Sequence, residues 1–128
     1  MLRVIYYERA NGQKPVSDWL DDLKASDPSA YRNILAKLDK LEIEGFKLLN
    51  TDMLKPIRGY SNMYEVTGSR CRILGYYDEI KEVFVLLHGF MKKRQREHHQ
   101  IQIGCSLAEE YKSSMRGGIT WLGAFVKI

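Results

Sequence analysis

Residues 83–90, VFVLLHGF, constrain this chain more than any other stretch. Successive side chains of a strand point to opposite faces, so Phe84, Leu86 and His88 fall on one side and Val83, Val85 and Leu87 on the other. Both sides are apolar until His88, the pattern of a strand buried on both faces. Lys92, Lys93, Arg94 and Arg96 follow with no acid among them. Any fold for this chain has to accommodate a buried strand that ends in one histidine and four cations.

Neighbouring runs supply partners for that strand. MYEVT and RCRILGYY are short and β-rich, and Gly68-Ser69 and Asp78-Glu79 separate the three runs at spacings that suit an antiparallel meander. LRVIYYE, ending at the Asn11-Gly12 turn, reads as a first strand. Pro15 then opens a segment in which Val16, Trp19, Leu20 and Leu23 recur at helical spacing. Asp27 is suited to cap a second helix, Pro28 to start it and Gly45 to end it, with Tyr31, Ile34, Leu35, Leu38 and Leu41 as its stripe. From Arg94 to about Met115 a third helix is predicted, carrying Ile101, Cys105, Ala108 and Tyr111, although Gly104 weakens it by about 1 kcal/mol. The predicted order is β-α-α-β-β-β-α, an α+β domain over residues 1–116 with helices packed on one sheet. The apolar tail 117–128 is left open as an added strand, a partner-binding segment or an unstructured end.

The 128 residues are enough to bury a core without metals or disulfides. Cys71 and Cys105 belong to no CxxC or Cys/His ligand pattern, which suits a reducing compartment. No run of about 18 apolar residues is present to span a bilayer, and the first residues lack a secretory pattern. A soluble cytoplasmic protein is expected.

The formal charge of +4 permits a polyanionic partner, and the placement of the cations says more. Two-residue alternation puts Arg70, Arg72, Leu74 and Tyr76 on one face of their strand. Lys55 and Arg58 in LKPIRGY precede the meander, and the two basic groups are expected to share one open surface. Such a surface suits RNA, because cations set against phosphates release counterions, and Tyr60, Tyr64, Tyr76 and Phe90 offer stacking faces. The plainer reading is a solvated charged face in which Arg70 and Arg72 pair with Glu65 or Asp78 and half or more of the tyrosines are core.

LKPIRGYSNMYEVTGSRCRILGYY followed by VFVLLHGFMKKRQ resembles the RelE/ParE superfamily of bacterial toxins, most closely its HigB-like, phage-derived branch. The opening YYERANGQKPVSDWLDDL is similar to the start of that branch, and the resemblance covers roughly residues 2–112. It implies a RelE-like fold: a small antiparallel sheet with an N-terminal helical hairpin on one face and a C-terminal helix. It also implies a toxin of a type II toxin–antitoxin pair that cuts messenger RNA on the translating ribosome. The implied partners are a small protein antitoxin of helix-turn-helix type, mRNA and the ribosome, with operator DNA reached only through the antitoxin and no membrane. No cofactor is expected.

The chemistry follows from RNA itself. The 2′-OH is the nucleophile, so a metal-free ribonuclease needs a base, a positive field for the pentacoordinate phosphate and an acid for the leaving 5′-oxygen. His88 can do either proton job near neutrality. Lys92, Lys93 and Arg70 supply charge and Tyr76 a proton or a stacking face, while Arg58, Arg72, Arg94, Arg96 and Lys55 are candidates for RNA contact. Alternatively His88 merely ends a strand, Arg58 or Arg70 bridges to Glu65, and His98 and His99 face solvent. The last helix, with its glycine and His pair, and the tail from Gly117 depart from the family pattern. A gyrase-directed toxin of ParE type, or a noncatalytic RNA- or protein-binding module, are the other functions compatible with the sequence.

Overall fold

The computed structural model describes residues 1–93, 97–116 and 125–127. In chain order these form β1 (Arg3–Tyr7), α1 (Pro15–Ser26), α2 (Pro28–Glu44), a 3-10 turn (Gly45–Leu48), β2 (Leu54–Pro56), β3 (Met63–Gly68), β4 (Cys71–Asp78), β5 (Val83–Met91), α3 (His98–Arg116) and β6 (Phe125–Lys127). The helical boundaries have local causes. Pro15 and Pro28 occupy first-turn positions, where a missing N–H costs nothing. The Asp27 carboxylate accepts from the Ala30 amide at 3.1 Å, a cap of the kind that contributes about 1 kcal/mol. Gly45 ends α2 at φ 58°, a backbone angle glycine adopts without a Cβ penalty.

The strands form one six-stranded sheet in the order β2-β3-β4-β5-β1-β6. β2 through β5 run antiparallel as expected, but β1 lies parallel to β5, with Val4 opposite Phe84 and Tyr6 opposite Leu86. The sheet is therefore mixed rather than antiparallel. The long path from β1 to β5 through two helices has room to return the chain in the same direction, which a hairpin does not. Two short strands complete the sheet: β2 in the LKP segment, which the sequence does not predict, and β6 in the tail, one of the alternatives left open there. Phe125–Lys127 pairs antiparallel with the free edge of β1, so this part of the tail is an added strand. Residues 117–124 and 128 lie outside the described part.

Helices cover both faces of the sheet, the hairpin on one and α3 on the other. On one face, Val16, Leu20, Leu23, Ile34, Leu38 and Leu41 of the helical hairpin pack on Val4, Val66, Ile73, Phe84 and Leu86. On the other, Leu107, Ala108 and Tyr111 of α3 pack on Ile5, Leu74, Val85 and Leu87. A strand apolar on both sides is thus buried on both sides; each such side chain contributes about 1.5–3 kcal/mol by leaving water. Two glycines let the helices approach. A Cβ on Gly89 would sit 2.4 Å from the Trp19 ring of α1, and one on Gly104 of α3 would sit 2.7 Å from Leu74. Gly104, a weakness by helix propensity, is what allows α3 to lie close against β4. The helix itself begins at His98, later than the predicted Arg94.

Candidate functional site

A one-residue irregularity sets the site. Leu74 pairs with His88 while the next residue, Gly75, pairs with Leu86, which leaves Leu87 without a partner. Two residues of β5 here oppose one of β4, the definition of a β-bulge. Beyond the bulge the alternation is inverted. His88 therefore does not share a face with Phe84 and Leu86, as strict alternation predicts, but faces α3 together with Leu87. Its imidazole lies against Phe90, ring centroids 5.7 Å apart, and its Nε2 is 2.6 Å from Gln100 Oε1 in the first turns of α3. A carbonyl oxygen only accepts, so Nε2–H donates this bond and Nδ1 is left as the acceptor of the ring.

The register fixes what stands on the same face. Lys55, Glu65, Leu74 and His88 form one row across β2, β3, β4 and β5, and Thr67, Arg72 and Phe90 form the next. Glu65 lies beside Glu97, which lies just ahead of α3. Burial and then the charge of Glu97 push the Glu65 carboxyl above its ordinary range, against the pull of Arg72 and Lys92. Arg72 Nε lies 3.7 Å from Glu65 Oε2, and Lys92 Nζ lies 3.5 Å from Glu97 Oε1. Glu97 Oε1 is buried with no hydrogen-bond partner among the described residues. Arg72 and Lys92 thus each stand beside one of the two carboxylates, at about 10 Å from the His88 backbone, the width of two strand spacings.

The sequence-predicted residues separate into groups. The Lys92 amide donates to the Arg70 carbonyl at 2.7 Å, so Arg70, Lys92 and Lys93 gather at the end of the sheet where His88 lies. Arg70 sits in the β3–β4 turn rather than in β4, and both it and Lys93 are exposed. Arg72 is tied down: it pairs with Glu65, and its Nη1 donates to the Ser69 and Cys71 carbonyls at 2.7 and 3.0 Å. Asp78, the other suggested partner for the arginines, instead accepts from the Ile80 and Lys81 amides and from Tyr111. Lys55 shares the row of His88 but is three strands away, and Arg58 lies in the β2–β3 turn at the opposite end of the sheet from Arg70. The two basic groups do not meet on one surface. Arg94 and Arg96 lie outside the described residues.

Tyr76 is on the α3 face with His88, two residues along β4 from Leu74, the residue opposite that histidine. Its ring lies 6.0 Å from that of Tyr111, with Lys112 Nζ 5.1 Å above it, whereas His88 bonds Gln100. Of the other proposed stacking groups, Tyr64 packs on Phe46 and Phe84 beneath the helical hairpin and Phe90 is buried, which leaves Tyr60 exposed. Glu97 and Gln100 escaped sequence reasoning altogether. No local pattern marks them, because their partners are 32 and 12 residues away in β3 and β5.

A second polar set holds α3 to the sheet. Tyr7 Oη donates to Glu110 Oε2 at 2.6 Å, and Arg9 closes a two-armed pair on the same carboxylate at 2.9 and 3.0 Å. The hydrogen bond from Arg9, joined by that from Tyr7, holds the Glu110 carboxyl below its ordinary range. Buried Tyr111 donates to Asp78 Oδ2 at 2.6 Å; burial and that carboxylate push its phenol up. Among the described residues no three His, Cys, Asp or Glu side chains converge as a metal site, and no helix is long and apolar enough to cross a membrane.

A small α+β domain with a mixed sheet, a helical hairpin on one face, and a histidine with cations at the end of its central strand has the form of a RelE-like toxin fold. The family comparison agrees: residues 21–119 match the family described as phage derived protein Gp49-like (DUF891), and the chain belongs to that family, which is related to the toxins of toxin–antitoxin systems. No curated protein matches the sequence.

Proposed function

We propose that this chain is the toxin of a type II toxin–antitoxin pair and acts as an endoribonuclease on messenger RNA, with the translating ribosome presenting the substrate and a protein antitoxin silencing it. The observation that carries the reading is the bulge at Leu87, which turns His88 toward α3 with Nε2–H held by Gln100 and Nδ1 left to accept a proton. In this reading Nδ1 takes the proton of the attacking 2′-OH. Lys92, Lys93 and Arg70 face the phosphate and stabilise the charge that builds on its oxygens. The Glu65 carboxyl, held above its ordinary range, and the Tyr76 phenol on the same face are the two candidate acids for the leaving 5′-oxygen. Arg72 acts by holding Glu65 rather than by touching RNA.

The test is mapping of 5′ ends in cellular transcripts after brief induction, comparing the unaltered chain with a folded Lys92→Ala, Lys93→Ala, Arg70→Ala variant. New ends inside coding regions, reduced by about 10²-fold or more in the variant, are expected if positioned cations stabilise the phosphate. Growth arrest without new ends would move the assignment to a gyrase-directed toxin. Neither arrest nor new ends would leave a binding module.

A further inference from the structure

His88 also belongs to the wall of an open groove of about 610 Å³ whose place in the fold is informative. β1 and β5 are adjacent parallel strands, and their carboxyl ends both open on it. The chain leaves β1 into α1 on one face and leaves β5 toward α3 on the other. That divergence makes a crevice outside the carboxyl ends of the strands, the position where open α/β sheets bind ligands.

The lining decides what fits. Pro15, Ile103 and Leu107 give apolar walls, and Gln13, Gln102 and Ser106 bring hydrogen-bonding groups to the same space. Gln13 Oε1 already accepts from Arg9 and Asn11, so its NH₂ is the group left to donate. Gln102 Nε2 is directed at His98, which leaves its Oε1 to accept. Arg9 adds no free positive charge, because both arms of its guanidinium are held by Glu110, and Asp18 adds a negative one. His88 and His99 complete the wall with two flat rings, and a flat heterocycle with donors and acceptors on its rim fits apolar walls with polar edges.

We propose that this groove receives an unpaired nucleobase of the RNA strand, one nucleotide from the phosphate at His88, and so sets base preference beside the cut. The inference rests on the nuclease reading for the placement of that phosphate. It divides the work around the carboxyl end of β5: the cations beyond Met91 hold the backbone, and the groove between α1 and α3 reads a base.

Two measurements test it together. The first maps cut sites for the unaltered chain and for Gln13→Ala, Gln102→Ala and Ile103→Trp variants, the last filling the groove. The second follows backbone amide shifts of the isotope-labelled chain on adding tetraribonucleotides of A, C, G or U, and needs no cleavage and no variant to fold. The expected result is that base preference beside the cut falls by about tenfold, the scale of one lost paired base contact, while total cleavage persists. Base-dependent shifts at Gln13, Ile103 and Ser106 should accompany it. Cleavage with unchanged preference and no base-dependent shifts there would overturn the groove and leave the nuclease reading standing. Base-dependent shifts in a chain that cuts nothing would keep the groove and sink the nuclease. Shifts at these amides with an antitoxin segment and with none of the four oligonucleotides would make it a protein-docking site and overturn the proposal.

Discussion

The two faces of the sheet bury similar side chains by different means. Beneath the helical hairpin the contacts are almost wholly apolar, from Val4 and Phe84 to Leu38 and Leu41. Beneath α3 the apolar cluster is interrupted by polar links: Tyr111 to Asp78, Tyr7 and Arg9 to Glu110, and His88 to Gln100. The first face supplies cohesion without directional demands. The second fixes α3 at defined points, and each point exposes the fold to the loss of one donor or one proton. His88 and the carboxylates and cations nearest it lie on that second face or at its end.

The contrast predicts graded responses. Phe84→Ala on the hairpin face removes a fully buried ring and should cost about 3–5 kcal/mol in urea unfolding. A cost near that of an exposed site would mean the hairpin face is not the cohesive one. Tyr111→Phe keeps the ring but removes the donor to Asp78 Oδ2, and should cost about 1–3 kcal/mol with the fold intact. No loss would show that the polar links of the α3 face are ornamental to stability.

Acid–base behaviour sharpens the same comparison, since both shifted carboxyls sit on the α3 face. Glu110 is held low in the folded chain, so its stabilisation is present above the unfolded carboxyl value of about 4.3 and is lost as pH falls through the folded value. Glu65 is held high, so its contribution is present below about 4.3 and is lost as pH rises through its folded value. Replacing Glu65 by Gln should therefore remove part of the decline in stability on the upper side while leaving the acid limb set by Glu110. Parallel stability–pH curves for Glu65→Gln and the unaltered chain would contradict a Glu65 carboxyl held above its ordinary range.

Local features of the fold were readable because their causes are local. Asp27-Pro28 and Gly45 marked the bounds of α2, its stripe of Ile34, Leu38 and Leu41 is fully buried, and Gly68-Ser69 marked the β3–β4 turn. What escaped depends on distant pairing. The parallel match of β1 with β5 joins residues about eighty apart in sequence. The bulge falls in VFVLL, where every residue is apolar and no period reveals which one is extra. For that reason His88 was assigned to the wrong face although its position at the end of the buried strand was legible. The groove is assembled from the β1–α1 segment, the end of β5 and α3, and no single stretch carries its signal. Arg58 and Arg70 are both basic candidates in the sequence, and strand direction separates them to opposite ends of the sheet.

The most direct test of the account is the cleavage rate of the purified His88→Ala chain against the unaltered chain, on mapped mRNA sites with translating ribosomes, with thermal unfolding of both measured alongside. A proton transfer by His88 predicts a loss of about 10²-fold or more in rate with the unfolding transition retained. Equal rates in two equally folded proteins would contradict it and leave the bulge as a feature of packing alone.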